Sequence, residues 1–203
     1  MHRIKNHNSL LVLLIPLIVF VSCNNNKQTL KQTNSEYLNN KGFSFLQEYL
    51  MNDDEESILD SALFYFNEAL KVDENNTAAY HNRKVVLSYQ GNYNEKIDII
   101  KEELEKVDPN DNASLAVLYG ELSKTYYEHG DTILGDQMKN KSKQCFNLGL
   151  KNKQNTDLII EYVFFLAFTE SKEKALNELE KYKAYFQETD SYYDIIKYVL
   201  LNN

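Results

Sequence analysis

The chain has 203 residues, of which 43% are hydrophobic, with fifteen tyrosines, ten phenylalanines and no tryptophan, a composition typical of a folded domain with its own core. Its formal net charge of -8 argues against a nucleic-acid partner, whose phosphates are neutralised by lysine and arginine. The acidity is compatible with a basic protein partner, and it is also a routine means of keeping a protein soluble.

Residues 1–22 have the order of a secretory signal peptide. Arg3 and Lys5 precede an apolar run, 10–21, that is shorter than the ~20 residues a helix needs to cross a bilayer. The tetrapeptide FVSC at 20–23 resembles a bacterial lipobox, in which the cysteine is acylated and becomes the first residue of the mature protein. An ordinary cleaved signal with an incidental cysteine is the alternative interpretation.

The resemblance to lipoproteins implies a lipid bilayer as one partner, reached through several acyl chains on Cys23, since one chain alone anchors marginally. The polar, aromatic-free residues 23–34 are predicted to form a disordered tether. No aspartate follows Cys23 and no early acidic cluster occurs; in Gram-negative lipoproteins these would favour inner-membrane retention and surface export, respectively. The resemblance therefore implies an outer-membrane protein that faces the periplasm.

From Ser35 onward, apolar residues recur at helical spacing, and short polar linkers rich in helix caps and stops separate them. Gly91 and Gly130 follow two of these segments, where glycine ends a helix in a left-handed conformation at little cost. Ser171 and Ser191 are expected to cap the last two helices. No segment alternates as a strand, and the pattern predicts an all-α protein with helices at 35–50, 56–72, 77–90, 93–107, 112–129, 132–151, 156–169, 172–187 and 191–201, the last burying Tyr192, Ile195, Ile196 and Val199.

Two segments share a helix-pair arrangement. ALFYFNEALKVDENN carries a small–aromatic–small trio at Ala62, Phe66 and Ala69, and LYGELSKTYYEHGD, at 118–131, carries a first helix that ends at the Gly130 turn. These residues resemble the tetratricopeptide repeat (TPR), over roughly residues 35–188. The resemblance implies that residues 35–203 form a TPR-like right-handed solenoid of about four antiparallel helix pairs, stacked on one another, with a C-terminal capping helix.

The sequence departs from the TPR pattern in two respects. Arg83 and Lys84 replace the usual aliphatic and small residues, and Gly91 and Gly130 are further apart than the repeat length of roughly 34 residues. Generic helix pairs without repeat ancestry are therefore an alternative.

The first helices of TPR pairs line a concave groove, so the resemblance implies a partner-binding groove in this chain. Its aromatic composition favours an apolar or extended peptide segment as the ligand. The alternative is that some of the aromatic residues pack against a neighbouring helix. The residues at the groove positions are Asn39, Phe43, His81, Asn82, Val85, Tyr89, Lys124, Tyr127, Phe164 and Phe168.

The sequence offers no pattern for catalysis, for a metal or for a cofactor. His81 and His129 fall in different repeats, and the chain contains no paired cysteines and no glycine-rich phosphate loop. Ser171–Lys174 matches Ser-x-x-Lys, but its companion motifs are missing. Cys145 lies in an apolar stripe and is predicted to be a structural thiol. The acidic runs are expected to be solvated, and no two acids are predicted to pair in an apolar setting.

These features favour a membrane-anchored protein–protein interaction module, a helical-repeat scaffold or adaptor that binds an envelope protein or peptide segment without catalysis. The alternative is an immunity or inhibitor lipoprotein that neutralises a toxin acting in the periplasm, for which an acidic body suits a basic target. Carbohydrate capture is a weaker third hypothesis, because tryptophan is absent and the helical lipoproteins that capture carbohydrate are much longer.

Overall fold

The computed structural model describes residues 30–52, 56–152, 155–186 and 192–202. Within these ranges the regular structure is entirely helical, and two short 3-10 helices follow α6 and α8 at Leu150–Asn152 and Lys183–Tyr185. The α-helices of the described residues are α1 (Leu30–Asn52), α2 (Glu56–Val72), α3 (Thr77–Tyr89), α4 (Tyr93–Lys106), α5 (Asn112–His129), α6 (Thr132–Gly149), α7 (Thr156–Thr169), α8 (Lys172–Tyr182) and α9 (Tyr192–Asn202).

The predicted all-α class is confirmed, and the helices predicted between residues 56 and 169 end within about two residues of the observed bounds. The first helix differs, because α1 begins at Leu30 and therefore includes the last residues of the predicted tether. The predicted signal peptide, Cys23, the rest of the tether and the Ser191 cap lie outside the described residues.

Side-chain caps explain why the helices begin where the sequence predicts. Six of the described helices follow a residue whose side chain accepts a hydrogen bond from a backbone N–H in the first turn, which satisfies a donor that the helix leaves unpaired. At α8 the predicted cap is confirmed, since Ser171 Oγ accepts from the Lys174 N–H at 3.1 Å. The other five caps are Asn76, Asn92, Asp111, Asp131 and Asn155.

The two predicted glycine stops are also confirmed. Gly91 has φ +68° and Gly130 has φ +95°, values in the left-handed region that glycine adopts readily. The residue after each glycine donates its N–H back into the last turn, from Asn92 to the Leu87 carbonyl at 2.8 Å and from Asp131 to the Tyr126 carbonyl at 2.9 Å. This pairing satisfies carbonyls at the helix end and turns the chain towards the next helix.

The chain divides into two compact units at Ile99 and Ile100, whereas the sequence predicts one domain. In the N-terminal unit, α1 and α2 pack as an antiparallel pair, and Ser35 Oγ donates to the Ala69 carbonyl at 2.8 Å. The predicted trio of Ala62, Phe66 and Ala69 is fully buried. Burial of a side chain the size of Phe66 contributes about 2–3 kcal/mol.

In the C-terminal unit, two buried serines join α5 to the antiparallel α6. Ser123 Oγ donates to the Gly135 carbonyl at 2.8 Å, and Ser142 Oγ donates to the Ala116 carbonyl at 2.7 Å. Helices α7, α8 and α9 complete the core of this unit, whose largest fully buried side chains are Phe146, Ile159, Leu166, Leu179, Ile196 and Leu200.

Helix α9 turns a different face to the core from the predicted one. Ile196 and Val199 are buried as predicted, together with Tyr193. The prediction was wrong for Tyr192 and Ile195, which are 37% and 40% exposed, because the outward side of α9 is also apolar and the helical period alone cannot choose between the two sides.

None of the described helices combines the length and the apolar composition that crossing a membrane requires.

Candidate functional site

Three of the groove residues expected in the N-terminal unit are buried. Asn82 Nδ2 donates to Asn39 Oδ1 at 3.0 Å, between α3 and α1, and Asn39, Asn82 and Val85 are 9%, 8% and 7% exposed. Each amide therefore spends hydrogen-bonding capacity on the other instead of on a ligand. The expectation that these three residues line an open groove is corrected by this packing.

Phe43, His81 and Tyr89 keep part of their surface exposed. The Tyr89 ring meets Tyr49 edge-on, with 5.5 Å between ring centroids. Its hydroxyl is buried and has no hydrogen-bond partner in the described part of the chain, and burial raises the Tyr89 pKa above its ordinary value. Tyr89 thus packs mainly against α1, which matches the packing alternative for the groove aromatics.

The groove residues expected in the C-terminal unit come together on one surface. The Lys124 ammonium of α5 lies 5.6 Å from the centroid of the Phe168 ring of α7, and the Tyr127 ring lies 6.2 Å from the same ring. Phe168 is 47% exposed, whereas Phe164, one turn earlier, packs in part against the core. Three of the four residues therefore form a contiguous, partly exposed aromatic and cationic cluster.

Hydrogen bonds to residues of α6 fix the position of the Tyr127 side chain. Its hydroxyl donates to Asp136 Oδ1 at 2.6 Å and accepts from Lys139 Nζ at 3.0 Å, and Lys139 also pairs with Asp136. The ring lies against Gly135, where an added Cβ would be 2.8 Å from two ring carbons. The hydrogen bond from Lys139 lowers the pKa of Asp136 below its ordinary value, so the three polar groups keep the ring fixed across the neutral pH range.

A carboxylate that was not predicted to be functional, Glu161, lies at the other end of the same helices. The pKa of Glu161, on α7, is raised to about 7, mainly by burial and to a smaller extent by the charges of Glu121 on α5 and Asp157 on α7. The prediction that no acids pair in an apolar setting was therefore wrong. The sequence did hold a signal, because Glu161 is the only charged residue between Asp157 and Glu170, in a helix that is otherwise almost entirely apolar.

Spacing places these acids and the aromatic cluster on the same side of their helices. Glu161 precedes Phe164 by three residues and Phe168 by seven, and Glu121 precedes Lys124 by three, which are helical same-face intervals. Helices α5 and α7 pack against each other, so the residues of the two sets lie on neighbouring helices. The resulting surface, called the α5–α7 face below, comprises Glu121, Lys124, Tyr127, Asp157, Glu161, Phe164 and Phe168.

The structure also bears on metal binding and on nucleophilic catalysis. No group of three or more His, Cys, Asp or Glu residues in the described ranges is placed to hold a metal ion. Ser88 and buried Lys96 form a contact in which Lys96 Nζ donates to Ser88 Oγ at 2.8 Å, while Ser88 Oγ donates to the Lys84 carbonyl at 3.1 Å. A nucleophilic serine must instead give its proton to a base, so this pair has the geometry of a structural hydrogen bond.

Cys145, on α6, is partly buried. Burial raises the pKa of its thiol above the ordinary value, and the charge of Lys141 opposes this only in part. A raised pKa keeps the thiol protonated and poorly nucleophilic at neutral pH.

The described part of the chain is entirely helical in its regular structure, and its α5–α7 face combines aromatic residues with acidic ones. In comparisons with known proteins, the chain matches no family model and no curated protein.

Proposed function

We propose that this protein is a membrane-anchored protein–protein interaction module that binds a segment of another protein on the α5–α7 face and carries out no catalysis. The observation that carries the proposal is the exposed Phe168 ring, which lies beside Tyr127 and beneath the Lys124 ammonium. An aromatic cluster rimmed by charged groups is typical of a surface that a partner covers.

The free energy gained by covering the exposed part of the Phe168 ring is large enough to contribute to binding. Phenylalanine buries roughly 150–250 Å² in a core, so the 47% of Phe168 that is exposed would contribute about 2 kcal/mol when covered. Tyr127 adds to this because its hydrogen bonds to α6 already fix its side chain. A side chain that is ordered before binding loses little rotamer entropy when the partner arrives.

The proposal includes a TPR-like origin for the helix pairs and their stacking as a short right-handed solenoid. The buried trio of Ala62, Phe66 and Ala69 supports it, as do the left-handed glycines after α3 and α5. The contact between α5 and α7, which are the first helices of their pairs, also supports it, because such helices line the binding groove in that family.

The proposed location is the bacterial envelope, with acylated Cys23 in the outer membrane and the helices in the periplasm. The support comes from the lipobox-like FVSC at 20–23. We expect Cys23→Ala to abolish labelling by a fatty-acid analogue and to release the protein from the membrane fraction. Cys145→Ala is the matched control and should keep both properties; equal labelling of Cys23→Ala and the parent would contradict the anchor.

The binding proposal is tested by placing a photo-crosslinking amino acid at position 168 of the full chain in native membranes. Position 148 is the control, because Leu148 is 48% exposed on α6 and does not belong to the α5–α7 face. We expect one dominant crosslinked protein from position 168 and none from position 148. Identical products from both positions, or none from position 168, would refute the assigned surface.

The identity of the crosslinked protein separates the two functional hypotheses. A resident envelope protein supports a scaffold or adaptor, whose loss should disturb the envelope. A basic foreign enzyme, captured only when that enzyme is supplied, supports the immunity function, which the net charge of -8 favours.

A further inference from the structure

We infer that Asn75, in the turn between α2 and α3, is a modification site that accepts an N-linked glycan. The acceptor sequence for this modification is Asn-x-Ser/Thr, where x is any residue except proline. Only the export of the helices to the periplasm is taken from the proposed function, because the glycan donors of this reaction are presented outside the cytoplasm.

The chain contains this acceptor sequence three times, beginning at Asn75, Asn112 and Asn140. A pattern with only two fixed positions recurs by chance in a chain of this length, so the pattern alone does not choose among the three. The choice depends on two groups that a transferase must engage, which are the asparagine amide and the hydroxyl two residues later.

The turn at Asn75 leaves both of these groups free. The Asn76 N–H closes the turn by donating to the Asp73 carbonyl at 3.1 Å, and the Asn75 N–H donates to Asp73 Oδ1 at 3.2 Å. Asn75 and Thr77 are both exposed. The Asn75 side-chain amide and the Thr77 hydroxyl make no hydrogen bonds within the described ranges, so both are available to an enzyme.

The middle residue of the acceptor sequence, Asn76, fixes this turn at the surface. Its Nδ2 donates to Ser35 Oγ on α1 at 2.8 Å, and its Oδ1 accepts from the Ala79 N–H in the first turn of α3 at 3.0 Å. The residues on either side of Asn76 nevertheless remain exposed. The fold therefore presents the acceptor in one defined surface turn.

The other two acceptor sequences lack a free hydroxyl. Ser114, two residues after Asn112, donates from Oγ to Asp111 Oδ2 at 2.6 Å. Ser142, two residues after Asn140, is fully buried and donates from Oγ to a backbone carbonyl of α5 at 2.7 Å. A transferase would have to break structure in the C-terminal unit to engage either hydroxyl.

The residue before each acceptor sequence makes the same selection. Bacterial N-linked transferases also recognise an acidic residue two positions before the asparagine. Asp73 occupies this position before Asn75. In the other two sequences the position is held by Asn110 and Met138, which carry no charge. Local sequence and hydrogen bonding therefore point to the same asparagine.

The reaction joins Asn75 Nδ2 to C1 of a glycan that is carried on a polyprenyl diphosphate. The N–C1 bond forms, the C1–O bond breaks, and the diphosphate leaves with the electron pair of that bond. Nδ2 gives up one of its two protons to a base of the transferase. Because the lone pair of an amide nitrogen is delocalised into its carbonyl, the side chain must be free to enter an active site that disrupts this delocalisation.

The test incubates the full-length protein, in non-ionic detergent, with a purified bacterial N-linked oligosaccharyltransferase and a trisaccharide on polyprenyl diphosphate. Intact mass spectrometry counts the attached glycans, and peptide mapping locates them. We expect one glycan per chain, on Asn75, and none on Asn75→Gln. Asn112→Gln and Asn140→Gln are the matched controls and should be modified like the parent.

Two further positions test the chemistry and the role of the fold. Thr77→Ala should slow transfer at least about tenfold, because a site built to bind a hydroxyl rejects an acceptor that lacks it, whereas Thr77→Ser should retain most of the rate. Asn110→Asp supplies the acidic residue before Asn112 and should add no second glycan, because the Ser114 hydroxyl stays bonded. Circular dichroism checks that each variant keeps the helix content of the parent.

An unmodified parent would overturn the inference, and so would equal transfer to Asn75→Gln. A second glycan on Asn110→Asp would overturn the selection by the fold. Protein purified from its native membranes should carry a glycan on the peptide that contains Asn75, and an unmodified peptide would also overturn the inference. The lipid anchor is decided separately, because transfer to the purified chain does not depend on acylation of Cys23.

Discussion

Replacing Glu161 with glutamine isolates the electrostatic penalty in α7, because it removes the charge and keeps the shape. In the folded chain the pKa of Glu161 is raised from an ordinary 4.5 to about 7, first by burial and then by Glu121 and Asp157. The unfolded chain loses this proton near pH 4.5 and the folded chain holds it to about pH 7. Between these values the folded state binds more protons, so the free energy of unfolding must fall as pH rises.

The size of the effect follows from the shift. Each unit of pKa difference between the folded and unfolded states corresponds to 1.36 kcal/mol, so the ionised carboxylate destabilises the fold by about 3 kcal/mol above pH 7. Four other carboxyls, whose pKa values are lowered, have the opposite sign: their stabilisation is present above their ordinary pKa and is lost only as pH falls through their folded values. They act below the Glu161 window and are Asp111, Asp136, Glu170 and Glu180.

The assay is urea unfolding of the full-length protein, followed by far-ultraviolet circular dichroism, at about pH 5 and about pH 8. The parent should lose about 2.5 kcal/mol of unfolding free energy between these pH values, because part of the full effect falls below pH 5, and Glu161→Gln should lose little. At the higher pH the variant should be the more stable protein by a similar amount. Glu105→Gln, at an exposed position on α4, is the control and should follow the parent.

A parent whose stability is flat across this pH interval would refute the reasoning. An equal pH slope in the parent and in Glu161→Gln would also refute it, because the slope would then come from another group.

Three further substitutions test the packing, each by the same urea unfolding. Gly130→Ala should cost about 1–2 kcal/mol, since φ is +95° and nothing lies within 4 Å of the added Cβ; an unchanged stability would mean that the turn relaxes. Ser142→Ala removes the 2.7 Å hydrogen bond to the Ala116 carbonyl and should cost about 1–3 kcal/mol; no loss would mean that water replaces the hydroxyl. Asn82→Ala strands the buried Asn39 amide, so the double Asn39→Ala/Asn82→Ala variant should lose less than the two single losses added together; strict additivity would contradict the pairing.

The helices were predictable because their ends are encoded locally. A cap such as Asn155 or Ser171 acts on backbone groups within three residues of itself, and Gly130 adopts its left-handed conformation from its own lack of a side chain. Such interactions are legible in one stretch of sequence. The start of α1 at Leu30 lacked a comparable signal, since the polar residues before Ser35 are compatible with both tether and helix.

The candidate site was only partly predictable, because it depends on which helices meet. The TPR resemblance placed Lys124, Tyr127 and Phe168 on one surface, and the structure brings them together. It also placed Asn39 and Asn82 in an open groove, although these two amides face each other between α1 and α3. A single sequence gives no sign of such a long-range pair, because each residue looks like an ordinary polar groove position.

Glu161 is a second case in which a long-range contact could not be predicted from the sequence. Its apolar surroundings were visible in the sequence, but its closeness to Glu121, forty residues earlier in the chain, arises only when α7 packs against α5. The pKa of a carboxyl depends on burial and on neighbouring charge together. The apolar sequence around Glu161 held a sign of the first, which was not used, and no sign of the second.

The contact between Tyr127 and Gly135 has a consequence for how this protein changes over generations. Gly135 is buried on α6 and takes no part in the α5–α7 face, yet an added Cβ would lie 2.8 Å from the Tyr127 ring. A mutation there would push the ring outwards and reshape the face without altering any residue on it. A lineage could therefore change its binding partner through a substitution at this buried position. Comparisons of natural variants should include position 135 together with the residues of the α5–α7 face.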